Sequence, residues 1–290
     1  MPDPGTNPSV ARDLLALAKP RITFMAVLMA WIGMWFAGGA DMMTTVGTLL
    51  GTCLVVASAN ACNMIIEREG DKLMSRTANR PLPSGRMSVL TATVFAVVTA
   101  GLSAYLLWFL ANPLTFAVGF GALIGYAAVY TPLKRRSSLA LPIGAIPGAA
   151  PPLLGWAAAA RSLDAPGLVL FAIMFLWQLP HFLAISVYLK KDYSGAGIVV
   201  VPLESSDRNA QRMALIYASG LIPVSAGLYY LGVAGWLYLT VAIITGVAFC
   251  AVLFRGIREG NSEWARPAFM ASLLYLPVLM LGLFIDGVLL

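Results

Sequence analysis

The chain has 290 residues, of which 59% are hydrophobic and 11% carry a charged side chain. Since an ordinary soluble domain has about 25% charged residues, this composition excludes a soluble globular protein and indicates an integral membrane protein. The formal net charge is +6, and the positions of the basic residues explain it without nucleic-acid binding.

Nine apolar stretches follow one another along the chain, each long enough to cross about 30 Å of hydrocarbon as a helix. They are 22–38, 44–66, 88–110, 113–131, 139–159, 166–189, 212–232, 234–254 and 268–288. We therefore predict an all-α, polytopic membrane protein with about nine transmembrane helices. The whole chain, 1–290, is predicted to form one transmembrane domain, with a polar cytoplasmic segment at 1–20.

The basic residues predict the orientation of these helices. If the N-terminus is cytoplasmic and the spans alternate, all but one of the 19 Lys and Arg residues fall on the inner side, Arg161 being the exception. This asymmetry is the one that cytoplasmic loops show in membrane proteins. It predicts a cytoplasmic N-terminus and a C-terminus on the outer side, and it assigns the net charge to orientation.

The segment NMIIEREGD (63–71) ends the second predicted span. Asn63, Glu67 and Asp71 are four residues apart, so in a helix they lie on one face. Three oxygen-bearing side chains on one face repel one another but suit Mg²⁺, which prefers carboxylates and completes its shell with water and phosphate. We predict a magnesium site at these three residues.

Basic side chains follow the acidic residues closely, at Arg68, Lys72, Arg76 and Arg80. Guanidinium and ammonium groups beside a carboxylate-bound cation indicate a metal-bridged phosphate. The alternative is an ordinary solvated loop whose charges only set topology. The spacing of the acidic face together with RTANRPL (76–82) favours the phosphate site.

Three further positions on the predicted inner side add candidate residues. The fourth span ends at Tyr130 and is followed by Lys134 and Arg135. His181, the single histidine of the chain, falls inside the sixth span, where an ionisable side chain normally faces a cavity. Asp192 follows that span and is a candidate for a second metal site.

These segments resemble the UbiA-type intramembrane prenyltransferases over nearly the whole chain. The resemblance rests on AKPRIT (18–23), NMIIEREGD, MSRTANRPLPSG (74–85), YTPLKR (130–135), GAIPGAAPPLLGW (144–156), PHF (180–182) and DYSGAG (192–197). The acidic motif is shared widely in that family, whereas the arginine, proline-glycine and PHF blocks resemble its haem-modifying members. Tyr188 stands where many members carry a further acidic residue, so Asp192 alone remains of the second acidic motif.

The resemblance implies transfer of a farnesyl group from farnesyl diphosphate to a vinyl group of haem b, giving haem O. It implies Mg²⁺ bound by Asn63, Glu67, Asp71 and Asp192. The diphosphate would then be held by basic side chains, namely Arg68, Lys72, Arg76, Arg80, Lys134 and Arg135. Haem would be bound at His181 and Tyr130, and His181 could ligate the iron, hydrogen-bond a propionate or a tyrosine, or act as a base.

The same resemblance implies a bacterial inner-membrane location and a haem A synthase as downstream partner. Two other functions are open at this point. One is a prenyltransferase with a hydroxybenzoate or chlorin acceptor, and the other is a transporter of an anionic substrate. The concentration of charge at one predicted interface favours the enzyme, because transporters place such groups near the bilayer midplane.

Overall fold

The computed structural model describes residues 9–259 and 262–289, and in these ranges all regular structure is helical. Residues 1–8 of the predicted polar segment lie outside the described residues. The helices are α1 (Val10–Ala18), α2 (Pro20–Phe36), α3 (Met42–Asp71), α4 (Val89–Tyr105), α5 (Pro113–Ile124), α6 (Thr131–Leu133), α7 (Ala140–Ala160), α8 (Ala165–Tyr188), α9 (Lys190–Gly195), α10 (Val201–Glu204), α11 (Asp207–Tyr230), α12 (Trp236–Glu259) and α13 (Ala265–Leu289). The predicted all-α class is confirmed.

Eight helical spans in the described ranges are long and apolar enough to cross a membrane. A ninth is formed by α1 and α2 together, which are bent by 46° relative to each other. The break lies at Lys19, whose φ of 47° is left-handed, and Pro20 then begins α2. Proline disfavours a helical conformation in the residue before it, so the Lys-Pro pair explains the bend.

Two spans continue beyond regular α-helix as π-helical turns. α4 extends through Leu106–Ala111, and α5 extends through Gly125–Tyr130 into the short helix α6. Such wide turns are frequent at functional sites. The turn after α5 carries Tyr126 and Tyr130 towards the polar end of the helix bundle.

The helices pack through apolar side chains, and the segments that carry the polar site residues meet at one end of the bundle. α8 packs against α7, α11 and α13, and Leu170, Leu221 and Leu279 are fully buried between them. α2 crosses α7 at backbone contact distance, because Gly33 lies against the Pro152 carbonyl and Gly155 against the Ala30 carbonyl. The C-terminal end of α3, the segment 72–88 and the ends of α5 and α8 converge at the same end of this bundle.

Candidate active site

The acidic face predicted in α3 is buried. Asn63, Glu67 and Asp71 all lie within this helix, and their exposed fractions are 3%, 6% and 1%. α3 continues five residues beyond the predicted end of the apolar span, which places all three side chains one above another. A buried carboxylate is costly unless it is paired, so the partners of these groups define the site.

Each carboxylate has a basic partner from another segment. Lys134, just after α6, forms an ion pair with Glu67. Nη1 of Arg80 donates to Oδ2 of Asp71 at 2.7 Å. Breaking a buried pair by removing one partner leaves an uncompensated charge, so these contacts fix the positions of both basic side chains.

Asn63 connects three parts of the chain. Its Nδ2 donates to Oε2 of Glu67 at 3.0 Å and to Oγ1 of Thr131 at 3.3 Å. The Thr131 hydroxyl in turn donates to the Tyr126 carbonyl at 2.8 Å. Oδ1 of Asn63 accepts from Nζ of Lys19 at 3.4 Å. The amide therefore joins the α1–α2 bend, the acidic face and the end of α5.

Positive charge exceeds negative charge at this end of α3. The guanidinium of Arg135 lies against Gly70, where a β-carbon would collide with it. Lys19, Arg76, Arg80 and Arg86 line an adjoining cavity of about 330 Å³. In the described part of the chain, Lys19, Arg76, Arg80, Lys134 and Arg135 thus surround two buried carboxylates, and the excess favours an anionic ligand.

The excess of positive charge affects the pKa of Lys134. Lys134 lies one residue beyond the fourth span, and burial together with the charges of Lys19 and Arg135 lowers its pKa to about 7. A phosphate oxygen near this ammonium would favour its charged form. The positive charges around Lys134 therefore outweigh the one carboxylate, that of Glu67, with which it pairs.

Aromatic side chains border the charged cluster. The Lys134 ammonium is 5.5 Å from the ring centroid of Tyr130, and the rings of Tyr126 and Tyr130 are 5.2 Å apart. Gly144 of α7 leaves room for the Tyr130 ring, which a side chain there would displace. The Arg76 guanidinium lies 5.4 Å from the centroid of Tyr193 in α9. Electron-rich rings can stabilise positive charge that develops close to them.

Two of the predicted diphosphate residues lie away from the acidic face, Arg68 within α3 and Lys72 directly after it. Lys72 pairs with the exposed Glu69 at 2.8 Å, and Arg68 lies 3.5 Å from the same carboxylate. Arg68 also donates to the Ile65 carbonyl at 2.9 Å. The structure therefore brings together Arg76, Arg80, Lys134 and Arg135, but not Arg68 or Lys72.

The two remaining predicted site residues, Asp192 and His181, lie in α9 and α8. Asp192 is partly exposed in α9, next to Tyr193. Among the described residues, no three His, Cys, Asp or Glu side chains form a metal-binding group, so Asp192 does not join Glu67 and Asp71 in a three-ligand set. His181 lies in α8, with Nδ1 2.8 Å from Oγ of Ser272 in α13.

Lys19 and Thr131 are parts of the site that the sequence interpretation did not include. Lys19 lies inside the quoted motif AKPRIT, directly before the proline that begins α2. Thr131 lies inside YTPLKR, directly after Tyr130. Both were in quoted motifs, but their contacts with Asn63 depend on tertiary packing.

The oxygen donors of α3 suit a hard divalent cation. Two buried carboxylates and an amide oxygen, spaced by single helical turns, are the donor type that Mg²⁺ prefers. In this structure Lys134 pairs with the Glu67 carboxylate, and Arg80 pairs with the Asp71 carboxylate.

The sequence is similar to named proteins over nearly all of its length. Residues 26–275 match the model of the UbiA prenyltransferase family. A protoheme IX farnesyltransferase of Anaeromyxobacter sp. (strain Fw109-5) is 45% identical over 96% of this chain and 94% of its own length. One from Myxococcus xanthus (strain DK1622) is 44% identical, over 97% of this chain and 96% of its own length.

Solved structures share the fold at low identity. A digeranylgeranylglyceryl phosphate synthase superposes with a TM-score of 0.84 and 18% identity, over 97% of this chain and 99% of its own. A UbiA homologue from Archaeoglobus fulgidus bound to GPP and Mg²⁺ superposes with a TM-score of 0.67 and 16% identity, over 94% of this chain and 99% of its own. By the family match and the two relatives, this chain belongs to the UbiA prenyltransferase family.

Proposed function

We propose that this chain transfers a farnesyl group from farnesyl diphosphate to a vinyl group of haem b, producing haem O. The names of the relatives at 44% and 45% identity support the acceptor and the donor. The observation that carries the proposal is the buried Asn63, Glu67 and Asp71 face, enclosed by more basic side chains than it can neutralise.

Asn63, Glu67 and Asp71 would hold Mg²⁺. The magnesium-bound family member from Archaeoglobus fulgidus supports this choice of metal. When bound, the cation supplies positive charge that stabilises a diphosphate leaving group. Asp192 is kept as a candidate ligand for a second cation because α9 lies beside the site.

The basic residues of the chain would hold the diphosphate. Lys134 and Arg80, which pair with Glu67 and Asp71 in this structure, would donate to the diphosphate when these carboxylates hold the cation. Arg135 and Arg76 add further donors, and guanidinium groups hold phosphate oxygens in pairs. Preorganised cations aimed at a leaving group lower the barrier because they need no rearrangement as charge develops.

The reaction balances with one water molecule. The C1–O bond of farnesyl diphosphate breaks, and diphosphate leaves with the bonding electrons. The vinyl π electrons of haem b form the new bond to C1. Water then adds to the cationic vinyl carbon and loses a proton, which gives the hydroxyethylfarnesyl group of haem O. Tyr126 and Tyr130 would stabilise the allylic cation through their rings.

The test is a product assay on purified protein in detergent. Haem b, farnesyl diphosphate and Mg²⁺ are incubated with the wild type and with Asp71→Ala, and haem mass is followed by liquid chromatography and mass spectrometry. We expect a haem of increased mass with the wild type and none with the variant. Prenylation of a hydroxybenzoate or chlorin without any haem product would overturn the proposed acceptor.

The finer assignments belong to the same proposal. The protein is a single prenyltransferase domain in the bacterial inner membrane, with the charged end of the bundle at the cytoplasmic face. Haem O would pass to a haem A synthase. The basic cluster at that end supports this orientation, because positively charged loops stay on the cytoplasmic side.

A further inference from the structure

A buried ion pair joins α1 to the segment 72–88. The guanidinium of Arg86 contacts both carboxylate oxygens of Asp13, with Nη2 3.2 Å from Oδ1 and Nε 3.4 Å from each oxygen. Asp13 is only 5% exposed. A carboxylate so enclosed depends on its partner, because removing the partner leaves an uncompensated buried charge. The pair therefore fixes where α1 lies on this segment.

Apolar contacts support the same junction. Leu17 of α1 is fully buried in a cluster with Met64 of α3 and with Leu82 and Met87 of the segment 72–88. α1 then ends at Lys19, whose left-handed conformation turns the chain into α2. One apolar contact and one ionic contact thus hold α1 against the segment.

Arg86 also holds the peptide unit that precedes Arg80. Its Nη2 donates to the Asn79 carbonyl at 3.0 Å. That carbonyl and the amide nitrogen of Arg80 belong to one planar peptide unit, so the hydrogen bond sets the plane from which Arg80 projects. The Arg80 side chain in turn donates to Asp71 at 2.7 Å. A continuous series of contacts therefore runs from Asp13 through Arg86 and Arg80 to the acidic face.

The ion pair also affects the charge of the adjoining cavity. The cavity is lined by the basic side chains of Lys19, Arg76, Arg80 and Arg86. Ala16 of α1 forms part of its wall. Like charges at short range repel one another, and the carboxylate of Asp13 offsets that of Arg86. Asp13 thus keeps Arg86 on the segment 72–88 and leaves the other basic groups to an anionic ligand.

We propose that Asp13 and Arg86 are positioning residues for Arg80 in binding the diphosphate of the prenyl donor. Asp13 holds Arg86, and Arg86 holds the peptide unit before Arg80. The inference rests on the proposed function, since it takes an allylic diphosphate as the ligand of Arg80. Both positioning residues lie outside the sequence motifs that indicated the site.

The test measures binding of farnesyl thiodiphosphate, a donor analogue whose C1–S bond ionises slowly, to purified protein in detergent with Mg²⁺. Isothermal titration calorimetry gives the stoichiometry, which counts the folded molecules, and the Kd, which reports on the site itself. Asp13→Asn should raise the Kd about three- to tenfold at unchanged stoichiometry, because Arg80 remains but its charge-assisted hydrogen bonding is less well fixed.

Asp41→Asn is the matched control. It makes the same change at a carboxylate that caps the opposite end of α3 by accepting from the Thr44 amide at 3.0 Å. Asparagine caps helices as well as aspartate does. The Kd of this variant should therefore equal that of the wild type.

A second comparison separates positioning from stability. Arg86→Met keeps the length of the side chain without its donors and leaves Asp13 buried without a partner, so the thermal midpoint should fall. Adding Asp13→Asn removes the unpaired charge and should restore the midpoint. The Kd of this double variant should stay raised, because the hydrogen bond to the Asn79 carbonyl is still missing.

The outcomes distinguish the inference from the proposed function. If Asp13→Asn binds the analogue with the wild-type Kd at any stoichiometry, or more tightly because Arg86 turns to the diphosphate, the positioning role is wrong while the diphosphate site stands. Recovery of both midpoint and Kd in the double variant would also overturn it, since the pair would then act on stability alone. If the wild type binds no analogue, the proposed function fails, and the inference fails with it.

Discussion

Neighbouring carboxylates of α3 have opposite surroundings. Glu67 is buried against Lys134, whereas Glu69, two residues later, is exposed and pairs with Lys72. The two residues have the same chemistry and the same helix, so they differ only in the face they occupy. This pair gives a matched test of the acidic face.

Glu67→Gln should lower the rate of haem product formation about 100-fold, because it removes one charged oxygen ligand from the site. Glu69→Gln should leave the rate unchanged, since its carboxylate faces solvent. The assay is initial rate of product formation by chromatography at saturating Mg²⁺. Equal losses in both variants would show that the faces of α3 do not differ in function.

Arg80 and Arg68 differ in the same way, because Arg80 pairs with the buried Asp71 whereas Arg68 lies beside the exposed Glu69. Arg80→Ala should raise KM for farnesyl diphosphate about 10- to 100-fold, since a hydrogen bond between charged groups contributes about 1.5–3 kcal/mol. Arg68→Ala should not change KM, because Arg68 lies beside Glu69. Initial rates over a range of farnesyl diphosphate concentrations give both values. A larger KM change in Arg68→Ala than in Arg80→Ala would contradict the observed arrangement.

Spacing in the sequence predicted part of this site. Asn63, Glu67 and Asp71 could be placed on one face because four residues approximate a helical turn. The separation of Arg68 from Arg80 could not be predicted, because it depends on how the segment 72–88 returns to the end of α3. The pairing of Lys134 with Glu67 likewise depends on the packing of α5 and α6 against α3.

At the scale of helices, the contact between α2 and α7 depends on two glycines. A β-carbon at position 33 would meet the Pro152 carbonyl, and one at position 155 would meet the Ala30 carbonyl. Both obstacles are backbone atoms of another helix, so neither can turn aside. Small residues at such crossings let membrane helices approach closely.

Gly155→Ala should therefore destabilise the protein by about 1–3 kcal/mol, the usual cost of overpacking. Gly101→Ala in α4 is the matched control, because a β-carbon there would meet open space. The measurement is the thermal midpoint of each variant in detergent. An equal midpoint for Gly155→Ala and the wild type would show that α2 and α7 can separate without cost.

The helices themselves were largely predictable, whereas their irregular parts were not. The apolar runs placed the span boundaries within a few residues, since each run must match the hydrocarbon thickness. The extension of α3 to Asp71 was visible only through the acidic spacing. The π-helical turns Leu106–Ala111 and Gly125–Tyr130 have no clear signal in composition, because they arise where one helix adjusts to its neighbours.

For the whole molecule, the distribution of basic residues predicts which end faces the cytoplasm. In a variant with Cys53, Cys62 and Cys250 replaced by Ala, Leu163→Cys should react with a membrane-impermeant maleimide in intact spheroplasts. Lys191→Cys should react only after lysis. Both positions are exposed in the structure, so accessibility depends on the side of the membrane. The reverse labelling pattern would invert the predicted topology.

The hydrogen bond from Asn63 to Thr131 joins residues 68 positions apart in the chain. At roughly 5–20 residues per second, a ribosome needs about 3 to 14 s to add that length. During this interval the acidic end of α3 has been synthesised, but the segment that carries Lys134 has not yet been made. The nascent chain must keep the Glu67 carboxylate hydrated until Lys134 is synthesised, which a position at the end of a span permits and a position at mid-membrane would not.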